Sequence, residues 1–274
     1  MSQTAVGREQ VEERFEAIRS VLRRERRRTT DERRAFRAFA EQVSELQPTA
    51  GPASGTGSVE AGGGTVVTAE MWPPTTPQSV ADLDAVRRAY KETVMDVSFY
   101  EAEYGDDYEA SVTSELGSEV ALAVTEPDCF TPAAKRALLA SVERATRERT
   151  VLVETCKRER AAVDDAADAL LPLAEELDSL AATLFDHMGF GGLDAARNRL
   201  LSIEADCETA ATTRQRTIHR QRDRHSLPTD EPDICAYLYK DLDATYPILA
   251  LCTDLADRAS DLRRHTERAM SGRS

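Results

Sequence analysis

Apolar residues in the first 47 positions recur at alternating steps of four and three, and polar residues replace them midway. The apolar members are Val11, Phe15, Ile18, Leu22, Phe36, Phe39, Val43 and Leu46, and the polar members are Glu25, Thr29 and Glu32. This spacing keeps one side of an α-helix against a partner helix over roughly 55 to 60 Å. It predicts a helix from about Arg8 to Gln47, which ends before Pro48 and has solvent or charge pairs at its centre.

A second long pattern follows Thr131-Pro132, where threonine caps free amide groups and proline fits the first helical turn. Its members are Val142, Ala145, Arg149, Leu152, Cys156, Glu159, Val163, Ala166, Leu170, Leu173, Leu177, Leu180 and Leu184. Arg149 and Glu159 are the polar members. The pattern predicts a helix that Pro172 kinks or breaks and that finishes around residues 187 to 189. It also offers the first helix an intramolecular partner.

Shorter apolar patterns predict the other helices, and glycine or proline marks most of their ends. The predicted ranges are Ser79 to Gly105, Tyr108 to Val124 with Pro127 as the stop, Leu193 to Arg224, and a region from Ile234 to Ala269 that Pro247 kinks or divides. Residues 226 to 233, with two prolines, predict a loop.

Glycine, serine, threonine and proline dominate residues 48–79, which predicts a flexible linker because such a segment buries too little surface to order itself. A short extended piece is expected near Thr65 to Thr68, and Trp72 either docks onto the body or stays exposed. The predicted domains are an N-terminal long amphipathic helix (1–47), this linker (48–79) and a helical bundle body (80–274). No internal repeat is evident, which disfavours a solenoid. The predicted fold class is all-α: an elongated antiparallel helical bundle with long coiled-coil-like helices and an N-terminal helical arm.

Composition supports helix over sheet, because aromatic residues make up only 5% of the chain. Acidic residues number 49 against 35 basic ones, and the net charge of -14 repels nucleic acid and anionic lipid. Four basic residues are lysines: Lys91, Lys135, Lys157 and Lys240. Acid excess with scarce lysine is typical of salt-accumulating haloarchaea, although a GC-rich genome also replaces lysine by arginine.

The five cysteines are odd in number and lie far apart, which favours reduced thiols in the core of a cytosolic protein: Cys129, Cys156, Cys207, Cys235 and Cys252. The N-terminus is polar and has no signal region. The longest uncharged stretch in the C-terminal half, Ala244 to Thr253, is far shorter than the ~20 residues of a membrane span. We therefore expect a cytoplasmic protein that does not contact the membrane.

His219 and Asp223 share a helix face, with His225 nearby, so a metal site at these residues is conceivable. Neighbouring arginines oppose a cation there: Arg216, Arg220, Arg222 and Arg224. The glycines of residues 189–192 resemble a helix connection, since they lack the lysine of a phosphate-binding loop. The sequence also lacks a Gly-x-Ser-x-Gly elbow and His-Glu-x-x-His, Cys-x-x-Cys and Glu-x-x-His pairs. No catalytic, cofactor-binding or metal-binding residue is predicted.

Two stretches are locally basic. Residues 19–37 carry a charge of +6, and residues 214–224 carry +4. The favoured interpretation is solvated helix faces that pair with acidic helices such as the one bearing Glu154, Asp164, Asp165 and Asp168. The alternative is a nucleic-acid contact surface, although aromatic residues do not interleave with either stretch as base stacking requires.

Tyr100, Tyr104 and Tyr108 recur every four residues. On a continuous helix the three rings share one face and can grip a ligand or peptide. If Gly105 ends the helix, the rings instead pack around the junction at the edge of the core. The second arrangement is the favoured one.

Three segments carry a resemblance to a known family: residues 31–39 (DERRAFRAF), 88–105 (RAYKETVMDVSFYEAEYG) and 237–250 (YLYKDLDATYPILA). They resemble an uncharacterised haloarchaeal family of helical, coiled-coil-like proteins, and the likeness spans most of the chain. The resemblance implies a source and a helical fold, and it implies no activity.

Together the patterns predict a non-enzymatic helical scaffold or protein-interaction protein of a halophilic archaeon. We expect a protein partner, or self-association, through the helical seams. The alternative is a nucleic-acid-associated regulator that uses the arginine-rich N-terminal helix.

Overall fold

The computed structural model describes residues 6–48, 77–125, 130–183, 185–224 and 234–272, and within these ranges it contains helices and no strand. The helices are α1 (Arg8–Glu45), α2 (Pro77–Thr93), α3 (Tyr100–Glu103), α4 (Tyr108–Leu116), α5 (Ser118–Thr125), α6 (Pro132–Ala181), a short 3-10 helix (Phe185–His187), α7 (Phe190–Arg224), α8 (Ile234–Leu238) and α9 (Pro247–Ser271). The predicted all-α class is confirmed.

The chain forms two compact units, and the long helices α1 and α6 each contribute to both. Unit 1 comprises Met1–Arg27 and Val153–Ser274, and unit 2 comprises Arg28–Leu152. Unit 1 is therefore built from two separate stretches of sequence, whereas unit 2 is one continuous stretch. The predicted division into residues 1–47, 48–79 and 80–274 stays a prediction.

The core of unit 1 includes the first half of the α1 seam. Val11, Phe15 and Ile18 are fully buried. Apolar side chains of the later helices are fully or almost fully buried in the same unit: Val163, Leu170 and Leu177 of α6, Leu193, Leu200 and Ile203 of α7, and Ile248, Leu251 and Leu255 of α9. The first helix thus packs against its own chain in this unit.

The core of unit 2 contains the second half of the α1 seam and the aromatic residues of α2 and α4. Phe39 meets Tyr90 edge-on with ring centroids 5.2 Å apart, and Tyr90 meets Tyr108 in the same manner at 5.6 Å. The hydroxyl of Tyr90 lies 3.0 Å from that of Ser111. Edge-to-face pairs stabilise a core beyond their buried area, by about 0.5 to 1.5 kcal/mol each.

Several predicted helix starts agree with the structure. α1 begins at Arg8, and α6 begins at Pro132, where the Thr131 hydroxyl accepts a 3.1 Å hydrogen bond from the amide of Ala134. Pro247 is the first residue of α9, so it divides the last helical region. Helix starts with side-chain caps are well encoded locally, because cap and capped amide lie within one turn.

Other helix ends differ from the prediction. α2 ends at Thr93 and not near Gly105, and Gly105 itself has a φ of 58° that favours glycine. The predicted helix from Tyr108 to Val124 is two helices, because Gly117 between them has a φ of 93°.

The two longest C-terminal predictions need similar corrections. α6 continues through Pro172 without a break, and it ends at Ala181, before the predicted finish near residues 187 to 189. α7 begins at Phe190, so Gly191 and Gly192 lie in its first turn and do not form a connection. The predicted extended piece at Thr65 to Thr68, Trp72, the stop at Pro127 and the loop 226–233 lie outside the described residues.

Candidate functional site

The two polar members of the α6 seam, Arg149 and Glu159, each lie at the centre of a buried cluster of charged groups. Glu159 belongs to unit 1 and Arg149 to unit 2. We call the groups around Glu159 the unit 1 cluster and those around Arg149 the unit 2 cluster. The side chains of their ion pairs are between 0% and 22% exposed.

The unit 1 cluster surrounds the carboxylate of Glu159, which is fully buried. Arg214 of α7 donates to both carboxylate oxygens, at 3.1 and 2.6 Å. The hydroxyl of Tyr239 donates at 2.7 Å, and the amide nitrogen of Gln221 donates at 3.2 Å. Three donors from two parts of the chain therefore replace the water that this carboxylate loses on folding.

Arg214 is only 4% exposed, and burial and the neighbouring charge have opposite effects on its pKa. Burial alone lowers its pKa, but the adjacent charge and hydrogen bonds of Glu159 outweigh burial and raise it. The pKa of Tyr239 is raised well above its usual value, first by burial and then by Glu159. Both groups thus stay protonated and keep donating to Glu159 at neutral pH.

Residues around α8 link this cluster to neighbouring elements. The thiol of Cys235 accepts from Arg214 at 3.0 Å and lies 4.0 Å from Glu159. Tyr237 donates to Glu25 of α1 at 2.7 Å. Glu25, a polar member of the α1 seam, is therefore engaged with α8. The side chain of Gln221 has one buried oxygen without a partner among the described residues.

The unit 2 cluster surrounds Arg149, whose side chain is 13% exposed. It donates to Glu32 of α1 at 2.9 Å and to Glu115 of α4 at 2.7 Å. Its guanidinium also lies over the ring of Phe36, 4.5 Å from the centroid. Burial, together with the negative charges of Glu32 and Glu148, raises the pKa of Glu115 although Arg149 lowers it. This cluster joins three helices around one cation.

Glu32 extends the unit 2 cluster to the tyrosines singled out by spacing. Arg28 donates to Glu32 at 3.3 Å and pairs with Glu103. The hydroxyl of Tyr104 donates to Glu32 at 2.8 Å. Tyr100 and Tyr108 are buried on either side of Gly105, and they lie in separate helices. The three tyrosines therefore pack around a junction and do not share one helix face.

The arginine-rich stretch of α1 is largely paired in unit 1. Arg19 contacts Asp164 of α6 at 2.9 Å, as the predicted pairing with an acidic helix requires, and Arg23 contacts Glu16 at 2.6 Å. A cleft of about 220 Å³ nevertheless lies between α1 and α6, and its lining includes four cations: Arg23, Arg26, Lys157 and Arg160. Arg24 and Arg27 of α1 do not line this cleft; both are exposed and make no ion pair with a described residue.

The histidines considered for metal binding do not meet a ligand set in the described part of the chain. His219 is exposed on α7, while the side chain of Asp223 and all of His225 lie outside it. Within that part, no group of three metal-binding side chains is close enough to hold an ion. His265 instead packs against the ring of Phe185, 5.7 Å between centroids.

The four cysteines within the described ranges are buried and unpaired by disulfides: Cys156, Cys207, Cys235 and Cys252. Burial raises the pKa of Cys156 and of Cys207 to about 12, and that of Cys252 to about 11. A thiol with such a pKa is almost entirely protonated at neutral pH and is a poor nucleophile. Cys129 lies outside the described residues.

A family model described as a domain of unknown function (DUF7260) matches residues 13–263. The chain belongs to this family. No curated protein and no solved structure matches it. The matched range holds every residue of the unit 1 and unit 2 clusters, so both are features of the DUF7260 domain of this chain. In the part that the structure describes, no helix has the length and apolar character to cross a membrane.

Which partners meet in these clusters was not predicted. Arg149, Glu159 and Glu32 are polar members of apolar seams. Arg214 likewise lies at helical spacing from the buried residues Cys207 and Ile218 of α7. Glu115 and Tyr239 gave no such signal, since each lies on a short element without a long repeat. A polar residue inside an apolar seam indicates a buried pair, but it does not identify the pair.

Proposed function

We propose that this DUF7260 protein is a non-enzymatic helical scaffold or protein-interaction protein. The observation that supports this most is that the buried ionisable groups of the protein bind one another and join helices. Glu159, Arg214 and Arg149 are all held by intramolecular partners, and the pKa of each thiol with a resolved shift is raised. These groups join helices, and they lack the open, activated geometry of a nucleophile or a general base.

The proposal includes a salt-rich archaeal cytoplasm as the setting. The support is the composition, with 49 acidic residues against 35 basic ones and only four lysines. In molar salt the Debye length is about 3 Å, so association there depends on shape and close contacts. The apolar members of the α1 seam other than the partly buried Leu46 are already buried within the chain, which leaves the exposed helix faces for partners.

Two experiments test the proposal: sedimentation equilibrium of the full chain at low and at molar salt, and affinity capture from the native cytosol. We expect self-association, or one stoichiometric partner that withstands molar salt. A strictly monomeric chain that captures no stoichiometric partner contradicts the proposal. If the wild-type chain turns over a substrate, and an Arg149→Met variant of unchanged helicity does not, the proposal that the protein is non-enzymatic is contradicted.

A second candidate function is a nucleic-acid-associated regulator, which the cationic cleft between α1 and α6 supports. Exposed Arg24 and Arg27 of α1 add to the positive charge of that helix and are available for phosphate contacts. Fluorescence anisotropy of a labelled DNA duplex across a salt series tests this function. Binding at low salt that weakens in an Arg24→Glu/Arg27→Glu variant supports it, and no binding at low salt contradicts it.

A further inference from the structure

An open groove of about 390 Å³ lies between α6 and α7 within unit 1. Its walls are formed mainly by small residues, among them Ala162, Ala166 and Ala169 of α6 and Thr209, Ala210 and Thr213 of α7. The hydroxyls of Thr209 and Thr217 donate to backbone carbonyls one turn earlier, at 2.9 and 3.1 Å. These hydroxyls are thus satisfied inside the helix, and the groove presents mostly carbon atoms to a partner.

Charged side chains that make no ion pair with a described residue are distributed unevenly along this face. Asp165 and Asp206 line the groove, and neither makes a hydrogen bond or ion pair with a described residue. Arg216 and Arg220 are exposed further along α7, where the side chain of Arg220 donates to the carbonyl of Arg216 at 3.2 Å and to the Thr217 hydroxyl at 3.4 Å. Neither arginine has a carboxylate partner within the described ranges. On α7, the acidic Asp206 and the basic Arg216 and Arg220 therefore lie toward opposite ends of this face.

The spacing of these charges is symmetric about Thr213. Asp206 and Arg220 each lie seven residues from Thr213. Seven residues are nearly two helical turns, about 10.5 Å, so the three side chains follow one face of α7. When a second α7 runs antiparallel and crosses at Thr213, Asp206 of each copy lies opposite Arg220 of the other. The small side chains at the crossing allow the two helices to approach closely.

We propose that a second copy of this chain occupies the α6–α7 groove in a two-fold, antiparallel contact. A face with opposite charges at its two ends is complementary to its own reverse, which is the requirement for an isologous interface. This inference rests on the proposed function, and it names the surface and the partner. The Asp206–Arg220 pairs form twice in the dimer, and Asp165 adds negative charge on the α6 side.

Sedimentation equilibrium of the full chain at low ionic strength, where surface charges are least screened, is the test. The Asp206→Arg and Arg220→Asp variants each place like charges opposite one another, and we expect dimerisation to weaken roughly tenfold or more in each. An equimolar mixture of the two variants regains opposite charges at both contacts and forms a heterodimer. The double variant regains them within a homodimer.

A Glu208→Arg variant is the matched control, because Glu208 is exposed on the opposite side of the same helix. It makes a charge change of the same size and leaves dimerisation unaffected. Unchanged far-UV circular dichroism verifies that each variant folds.

The outcomes separate this inference from the proposed function. Loss in both single variants with recovery in the mixture establishes the contact. If the wild-type chain associates but the charge variants do not weaken it, this surface is wrong while the scaffold proposal stands. If the wild-type chain is monomeric at low salt, the dimer is wrong, and capture of a different partner then decides the scaffold proposal.

Discussion

Single polar residues inside the apolar seams determine which helices meet. Glu159 accepts from Tyr239, 80 positions along the chain, and from Arg214, 55 positions along it. A buried ion pair is seldom more stabilising than an apolar pair of equal volume, but a buried charge that loses its partner is very costly. The cluster therefore penalises any arrangement in which α7 or α8 shifts relative to α6 inside unit 1.

Replacing Arg214 by methionine leaves the carboxylate of Glu159 buried without its cation. We expect the free energy of unfolding to fall by about 3 to 5 kcal/mol. Guanidinium chloride denaturation followed by circular dichroism measures this loss. The matched control is Gln215→Met, an exposed position on the same helix outside the charge pairs proposed above, for which we expect a change within about 0.5 kcal/mol.

A Glu159→Leu/Arg214→Met double variant tests the cause. Because it removes both charges, we expect it to regain much of the stability that Arg214→Met loses. A double variant less stable than Arg214→Met shows that packing, and not the unpaired charge, dominates at this site.

The buried thiols predict how stability changes at alkaline pH. In the folded chain the pKa of Cys156 and of Cys207 is about 12, whereas the unfolded chain releases these protons near the ordinary thiol pKa of 9.0. The folded state therefore keeps protons that the unfolded state loses. Stability from this source is complete below about pH 9 and falls as the pH rises toward 12.

We expect the denaturation midpoint to decrease steadily between about pH 9 and pH 12. The Cys156→Ala variant is less stable at every pH because of its cavity, but its decrease with pH is shallower. Parallel pH profiles for the wild-type chain and this variant contradict a raised thiol pKa at that position.

At the scale of helices, starts were predictable and several ends were not. The Thr131-Pro132 start of α6 depends on residues within one turn of each other, so the sequence alone reveals it. Pro172 lacks the amide that a helix uses, yet α6 continues through it, with buried Leu170, Leu173 and Ala174 around it. Packing of this kind is a property of the whole unit, and local sequence does not encode it.

Gly117 separates α4 from α5 through its backbone conformation. Its φ of 93° strains any residue with a Cβ, although an added Cβ would meet only the Arg144 side chain, at 4.0 Å. We expect Gly117→Ala to lower the unfolding free energy by about 1 to 2 kcal/mol. Thermal denaturation of the full chain, followed by circular dichroism, measures the change.

Gly191→Ala is the control for that prediction, because Gly191 lies in the first turn of α7 with open space around it. Alanine there restricts the unfolded chain and favours the helix, so we expect a gain of about 0.5 to 1 kcal/mol. Equal losses for the two substitutions are incompatible with a specific role for the φ of Gly117.

For the whole molecule, the fold class followed from the sequence, but the assignment of α1 and α6 residues to two units did not. The periodicity of α1 is the same on both sides of Arg27, where one unit ends and the other begins. Seam spacing reports that a helix packs, and it carries no information on which distant segment it packs against.

The composition of unit 1 predicts how fragments behave. A chain of residues 153–274 lacks Phe15 and Ile18, which are fully buried in that unit, so we expect it to melt without cooperativity. Adding a peptide of residues 6–27 restores apolar burial, and we expect it to restore a cooperative transition. Circular dichroism melting with and without the peptide measures this.

A peptide in which Phe15 and Ile18 are replaced by serine is the control, and it should restore nothing. If residues 153–274 melt cooperatively without any peptide, the first half of α1 is dispensable for unit 1.

The discontinuous sequence of unit 1 also sets an order of events during synthesis. Unit 2 is complete in sequence once residue 152 has left the ribosome, whereas residues up to Arg27 must wait for partners that reach as far as α9. Domains generally fold as units, with N-terminal ones first during synthesis. Here residues 1–27, which are made before unit 2, join a unit that closes after it. Until then Val11, Phe15, Ile18 and Leu22 form an exposed apolar stripe on the nascent chain, and a chaperone that binds such stripes is best placed to act on this stage.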